Sequence, residues 1–392
     1  MKKILALVLS IVLVIGLTAC GAKKEDKFKV GLICLHDENS TYDNNFIMAL
    51  KEVQKELGLA DDQILIKTGI PEKEACKTTA EELVDEGCDI IFADSFGHED
   101  FIIEAAKEFP DVQFCHATGT QAHTANIPNF HNAFASIYEG RYLAGVVAGL
   151  KIQEMIDNGD ITPEEAKIGY VGAFQYAEVK SGYTSFYLGA RSIVESATME
   201  VVFTESWFDI AKEKENALRL INDGCVLISQ HADSEGAPKA CEEKGIPNVA
   251  YNINTESIAP NTALVSSRIN WAPYYKMAIQ ATMAGESFDA DWTGTIATGS
   301  VELLEVNEKV AAKGTDSKIA EIKAALESGT LHVYDTKNFT VSGKELDSYK
   351  ADVDSDADFA PDTEVVSDGY FHESEYRSAP YFDVDIDGIT IL

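Results

Sequence analysis

A handful of short turns hold most of the side chains with which this chain could do chemistry. The turn HDENSTYDNNF (36–46) is crowded with hydrogen-bonding groups and carries Tyr42, Asp43 and Phe46. The segment ESWFD (205–209) places Trp207 and Phe208 just past an extended run, Met199 to Thr204. Apolar strand-like runs stop abruptly at Asp94, Ser95 and Phe96, and again at Gln230, His231 and Asp233. A further turn, Phe174 to Gly182, contributes Phe174 and Glu178. Such residues stack and hydrogen-bond. Aromatic pairs contribute about 0.5–1.5 kcal/mol beyond burial, so one ring from each of two facing surfaces would grip a flat ligand. Tyr42 and Trp207 read as ligand-facing, Phe46 and Phe208 as core. Polar groups at strand ends either cap the next helix or face a cleft, and Ser95 and Asp233 admit both roles. His231 reads as a ligand contact or a satisfied structural histidine.

Bond-breaking chemistry finds no foothold. G-x-S-x-G, H-E-x-x-H, a Walker A loop and G-x-G-x-x-G are all absent from the sequence. His116, His123 and His131 follow no familiar metal spacing. The acidic run DVDSDAD (352–358) begins like a calcium loop, but Ala357 stands where glycine is needed and Thr363 where the closing glutamate belongs. The expectation is a binding protein with no catalytic residues, no metal and no cofactor.

The elements that position these turns emerge from an internal repeat. AEELVDEGCDIIFADS (80–95) reads as amphipathic helix, glycine stop and buried strand, and ALRLINDGCVLISQHA (217–232) repeats it 137 residues later. The same offset matches Lys107 with Lys244 and Pro110 with Pro247, while KVGLI (29–33) falls on KIGYV (167–171). Each copy runs strand, helix, strand, helix, strand, the pattern of a parallel sheet covered on both faces. The predicted fold is α/β, with two doubly wound lobes joined by several crossings. In such sheets ligands lie outside the carboxyl ends of the strands, which is where the turns named above fall.

The amino terminus sets the compartment. Lys2 and Lys3 precede an apolar run from Ile4 to Leu17 and then Thr18-Ala19-Cys20. This is a secretory signal, too short to span a bilayer comfortably, which takes about 20 residues. Its junction resembles a lipoprotein lipobox, which implies a signal over 1–19, lipidation of Cys20 and a tether over 20–27. The formal charge of −33 becomes about −35 once Lys2 and Lys3 are gone, because the removed segment contains no acid. So acidic a surface repels phosphate backbones, arguing against nucleic acid, and favours a monomer whose only membrane contact is its lipid. The other six cysteines, Cys34, Cys76, Cys88, Cys115, Cys225 and Cys241, show no C-x-x-C and read as buried free thiols.

Together, IIFADSFGHED (90–100), EFPDVQFCHATG (108–119), IYEGRYLAGVVAG (137–149), IGYVGAF (168–174), SWFD (206–209), ISQHADS (228–234) and INWAPYY (269–275) resemble the basic membrane protein family. Its members are lipoproteins that bind purines or purine nucleosides for ABC importers. The resemblance implies the type I periplasmic-binding-protein fold and a purine held between two rings. Tyr42 matches the first ring and Trp207 the second, usually phenylalanine. Asp43 stands where asparagine is common, Asn254 where many members grip ribose with an aspartate, and Asn270 where many carry a lysine. These departures, with the motif at 230–234, fit a free nucleobase such as adenine better than a nucleoside. The expected layout is 28–136 with 252–285 as lobe one and 137–251 with 286–330 as lobe two. Residues 331–392 are expected to pack on the lobes. The expected partners are a purine and an ABC permease at the outer face of the cell membrane. The alternative is a sensor for a purine or a small sugar-like ligand, without transport.

Overall fold

The structure, a computed structural model, describes residues 27–354, 356 and 360–392. The signal segment and Cys20 lie outside these residues.

Lobe one opens with β1 (Val30–Ile33), α1 (Thr41–Leu57), β2 (Ile64–Lys67), α2 (Ala75–Asp85) and β3 (Ile90–Ala93). It continues with α3 (Glu99–Glu108), β4 (Gln113–Ala117), the single turn α4 (Ala122–Ala125) and β5 (Phe130–Ala135). Chain direction then passes through the long α5 (Ile137–Asn158) into lobe two. There β6 (Lys167–Gly172), α6 (Ala177–Arg191), β7 (Thr198–Phe203) and α7 (Ile210–Asn222) lead to β8 (Leu227–Gln230). α8 (Gly236–Lys244), β9 (Asn248–Tyr251) and β10 (Ala263–Ile269) follow. The chain returns through α9 (Ala272–Ala284), β11 (Asp291–Gly294), β12 (Val301–Leu303) and α10 (Thr315–Glu327).

The sheets have matching strand orders: β11-β5-β4-β3-β1-β2 in lobe one and β12-β10-β9-β8-β6-β7 in lobe two. The short strand Ile389–Ile391 extends the second sheet beside β7. Pairing is parallel throughout except for β12, which runs antiparallel to β10. Central strands such as VGLI and IIFA are buried along their whole length, as parallel sheets covered by helices on both faces require. The repeat holds in three dimensions: β3 and β8 begin 137 residues apart, and so do α3 and α8. Glycine lets α5 and α6 meet backbone to backbone. A Cβ at Gly145 would lie 2.0 Å from the Phe186 carbonyl oxygen, and one at Gly189 would lie 2.1 Å from that of Tyr142.

The return path differs from the expected division. β10, within the 252–285 segment assigned to lobe one, pairs with β9 and so belongs to the sheet of lobe two. β11, within the 286–330 segment assigned to lobe two, pairs with β5 in lobe one. Both are edge additions whose sheet is chosen by distant hydrogen bonds, to which local hydrophobicity is blind. α9 does sit on lobe one, where Trp271 at its start stacks on Phe46 at 4.4 Å. The chain therefore crosses between lobes at Ser136, at 270–271 and between β11 and β12. The C-terminal segment reaches both lobes. The Ser378 N–H donates to Asp291 at 2.9 Å, and Lys180 pairs with Asp383 and Asp385 at 2.7 and 2.8 Å. All six described cysteines are buried and free.

Candidate functional site

The carboxyl ends of β1, β3 and β4 face those of β6, β8 and β9 across a cleft of about 410 Å³. The lobes touch around it. The Thr41 N–H donates to the Asp233 carbonyl at 2.9 Å, and Asn45 to the Ile269 carbonyl at 2.6 Å. His36 meets Phe208 at 5.6 Å between ring centroids, and Phe96 meets Tyr176 at 5.2 Å. This is a closed arrangement.

On the lobe-one wall, Ser40 caps α1 and brings Asp43 into its first turn, where the helix dipole favours an anion. Asp43 accepts from the His36 N–H at 2.7 Å and from the Ser40 hydroxyl at 2.5 Å. Burial alone would raise the Asp43 pKa, but the bonds from His36 and Ser40 outweigh it and hold the group below its ordinary value. Asp94, directly behind, goes the other way: burial first and the neighbouring Asp43 second push it well up. The two carboxyl groups are thus driven apart, Asp43 toward its ionised form and Asp94 toward its protonated one. Tyr42 donates its hydroxyl to the Asp94 carbonyl at 2.8 Å and sets its ring edge-on to Phe46 at 4.9 Å. Phe46 is core, as expected, at 1% exposure. Ser95 stands at the N-cap position of the short turn Phe96–His98 but makes no side-chain capping bond; its hydroxyl donates to Glu72 at 2.6 Å.

On the lobe-two wall, Trp207 is wedged against Phe174 (5.0 Å, edge-on) and Tyr176 (5.9 Å). His231 Nε2 lies 2.9 Å from Glu178, and its Nδ1 lies 3.5 Å from the Tyr170 hydroxyl. Burial lowers the His231 pKa more than Glu178 raises it. The imidazole is therefore neutral, donating through Nε2 to the carboxylate and accepting at Nδ1. Asp233 is pushed well up by burial and then by Glu213, with Arg141 opposing. Its nearest side-chain donor is Asn252 at 3.4 Å.

Eight of the expected contacts line this one cleft: Tyr42, Asp43, Ser95, Phe96, Glu178, Trp207, His231 and Asp233. Three do not. Phe174 supports Trp207 from behind. Asn254 is exposed on a surface turn, where its side chain accepts from the Glu256 N–H. Asn270 occupies the second crossing, bonded to the Gly299 carbonyl, Glu302 and the Ala272 N–H. Phe208, expected in the core, is only partly buried and faces His36 across the lobes. Leu35, His36, Thr118 and Tyr251 also line the cleft. Thr118 directly follows β4 and Tyr251 closes β9. Thr118 also has a left-handed φ of 65°, uncommon outside glycine and frequent at functional turns. No lining residue is a lysine or arginine. Among the described residues no helix is long and apolar enough to cross a membrane.

Two doubly wound lobes, three crossings and a closed interlobe cleft define the type I periplasmic-binding-protein fold. Solved structures bear out this fold. An ABC transporter solute-binding protein from Conexibacter woesei DSM 14684 superposes with TM-score 0.63 at 20% identity, covering 78% of this chain and 98% of that one. Another, from Aeropyrum pernix K1, gives TM-score 0.66 at 14% identity over 78% and 93%. The chain belongs to the Bmp family, described as ABC transporter substrate-binding protein PnrA-like, whose model matches residues 36–337. It is 30% identical over 334 residues, 83% of this chain and 90% of the relative, to a purine-binding protein of Brucella abortus (strain 2308). It is 32% identical over 233 residues to a putative ABC transporter glucose-binding protein of Haloferax volcanii, covering 59% of this chain and 56% of that one. The family consists of extracytoplasmic solute-binding proteins and not of enzymes.

Proposed function

We propose that the cleft captures a purine and that the chain, a monomer anchored by lipid at Cys20, delivers it to an ABC permease. One observation carries the ligand: Tyr42 from lobe one and Trp207 from lobe two line a single closed cleft with Asp43, Glu178 and Asp233 around them. A flat ring fits between aromatic faces contributed by different lobes, and closing the lobes supplies the second face while expelling water. The carboxyl groups suit ring N–H and amino groups, and a lining without lysine or arginine disfavours phosphate-bearing nucleotides. The purine-binding relative supports the same ligand class. Asn254 and Asn270, the positions that the resemblance ties to nucleoside recognition, lie outside the cleft, which favours a free base over a nucleoside. The Leu-Thr-Ala-Cys junction motivates the lipid anchor.

A small sugar is the second reading, because one relative is named as a putative glucose-binding protein. Calorimetry of the chain with adenine, hypoxanthine, guanine, their nucleosides and glucose separates the two. Saturable binding of bases, weaker binding of nucleosides and none of glucose is the expected pattern. Binding of glucose alone would refute the purine ligand.

A further inference from the structure

Tyr251 differs from every other described residue lining the cleft: its hydroxyl is buried with no hydrogen-bond partner among the described residues. The side chain is 2% exposed. Leaving a buried polar group unpaired costs roughly 1–3 kcal/mol, so native proteins rarely keep one without a use. Tyr251 is the last residue of β9, and ligands in open parallel sheets lie off such strand ends.

The ring is held from two directions. Arg141, on α5 and itself only 1% exposed, sets its guanidinium carbon 3.5 Å from the Tyr251 ring centroid. That guanidinium is fixed in turn by donating Nη1 to the Gln230 carbonyl at 2.8 Å, while its Nε and Nη2 have no partner among the described residues. The His231 ring lies 5.2 Å from that of Tyr251. A cation on the face of a phenol is attracted to its π-electrons and draws electron density away from the oxygen. The hydroxyl becomes a stronger donor, on a ring that has no room to swing away.

We propose that Tyr251, backed by Arg141, donates a hydrogen bond to an acceptor on the bound ligand and is a specificity-determining residue of the cleft. The proposal rests on the purine reading: the acceptor is then an unprotonated ring nitrogen or the C6 oxygen. An ionised Asp43 can only accept, so it serves the N–H edge of the same base. Ligands with a flat apolar ring but no acceptor are rejected, because they leave the Tyr251 hydroxyl unpaired.

The test compares wild type with Tyr251→Phe, which removes only the hydroxyl. Calorimetry uses adenine, hypoxanthine and guanine, together with the 1-, 3- and 7-deaza analogues of adenine. The variant should bind the preferred base about tenfold more weakly, while melting without ligand stays equal or rises because an unpaired hydroxyl is gone. One deaza analogue should lose a similar factor against wild type yet lose nothing further against the variant, the signature of a direct pair. Unchanged affinity in Tyr251→Phe overturns the proposal and leaves the purine reading standing. A melting temperature that falls without ligand gives the hydroxyl a structural role and also overturns it. Wild type binding no purine at all removes the purine reading and this proposal with it.

Discussion

Among the described residues lining the cleft, Tyr42, Asp43 and Ser95 on the lobe-one wall already have their partners, whereas on the lobe-two wall the Tyr251 hydroxyl has none and Asp233 has one long contact. Asp43 is held by His36 and Ser40, Tyr42 by the Asp94 carbonyl, and Ser95 by Glu72. Across the cleft the Tyr251 hydroxyl has no partner, and Asp233 has only a 3.4 Å contact from Asn252. A wall whose bonds are complete offers a preset shape and a fixed ionised carboxylate. A wall with unmet donors and acceptors gains most when a ligand arrives. The pairing suggests a division of labour: lobe one presents a finished surface, and lobe two supplies the contacts that discriminate among ligands once the lobes close. The two walls should therefore fail differently when mutated.

The largest effect should come from breaking the lobe-one scaffold. Phe46 is buried between Tyr42 and Trp271, and large-to-small changes of this kind cost about 3–5 kcal/mol. Phe46→Ala should lower the melting temperature with and without ligand. Trp207→Ala should spare most of the stability, since the side chain is only partly buried, but weaken purine binding about tenfold to a hundredfold. Calorimetry and thermal melting of both variants check the contrast. Equal purine affinity in Trp207→Ala would remove the ring pair from the binding account, and equal losses of stability would dissolve the difference between the walls.

Much of the fold was legible because the repeat is local. Helix, glycine stop and apolar strand follow one another within sixteen residues, so 80–95 and 217–232 declare themselves. The edge strands were not legible. ALVSSRI and DWTG carry no mark of the sheet they join, and that choice depends on hydrogen bonds made to β9 and β5 from far along the chain. At the site, Tyr42 and Trp207 stood out as aromatics in polar turns. Tyr251 did not, since NVAY reads as plain buried strand, and only the guanidinium stacked on its ring sets it apart. Asn270 was placed by family likeness alone, and Asn254 by that likeness together with its turn at the end of a strand. Short-range bonds within their own turns, to Glu256 and Ala272, hold them elsewhere.

The smallest effect concerns charge on the lobe-two wall. His231 and Glu178 lie at ion-pair distance, yet burial dominates and keeps the imidazole neutral. An unfolded histidine titrates near 6.5, so below that pH the unfolded chain takes up a proton that the folded chain refuses. The contribution of His231 is then fully present above about pH 6.5 and is lost as pH falls toward its lower folded value, by at most about 1.4 kcal/mol per pH unit. The other histidines with lowered values, His98, His116 and His131, share this trend, so the comparison must be made within one position. His231→Gln retains a donor for Glu178 and an acceptor for the Tyr170 hydroxyl but cannot titrate. The melting-temperature advantage of wild type over His231→Gln should shrink steadily from pH 7.5 to pH 5. If the gap instead widens on acidification, His231 is charged and paired with Glu178, and the lobe-two wall holds a completed ion pair like the satisfied groups opposite.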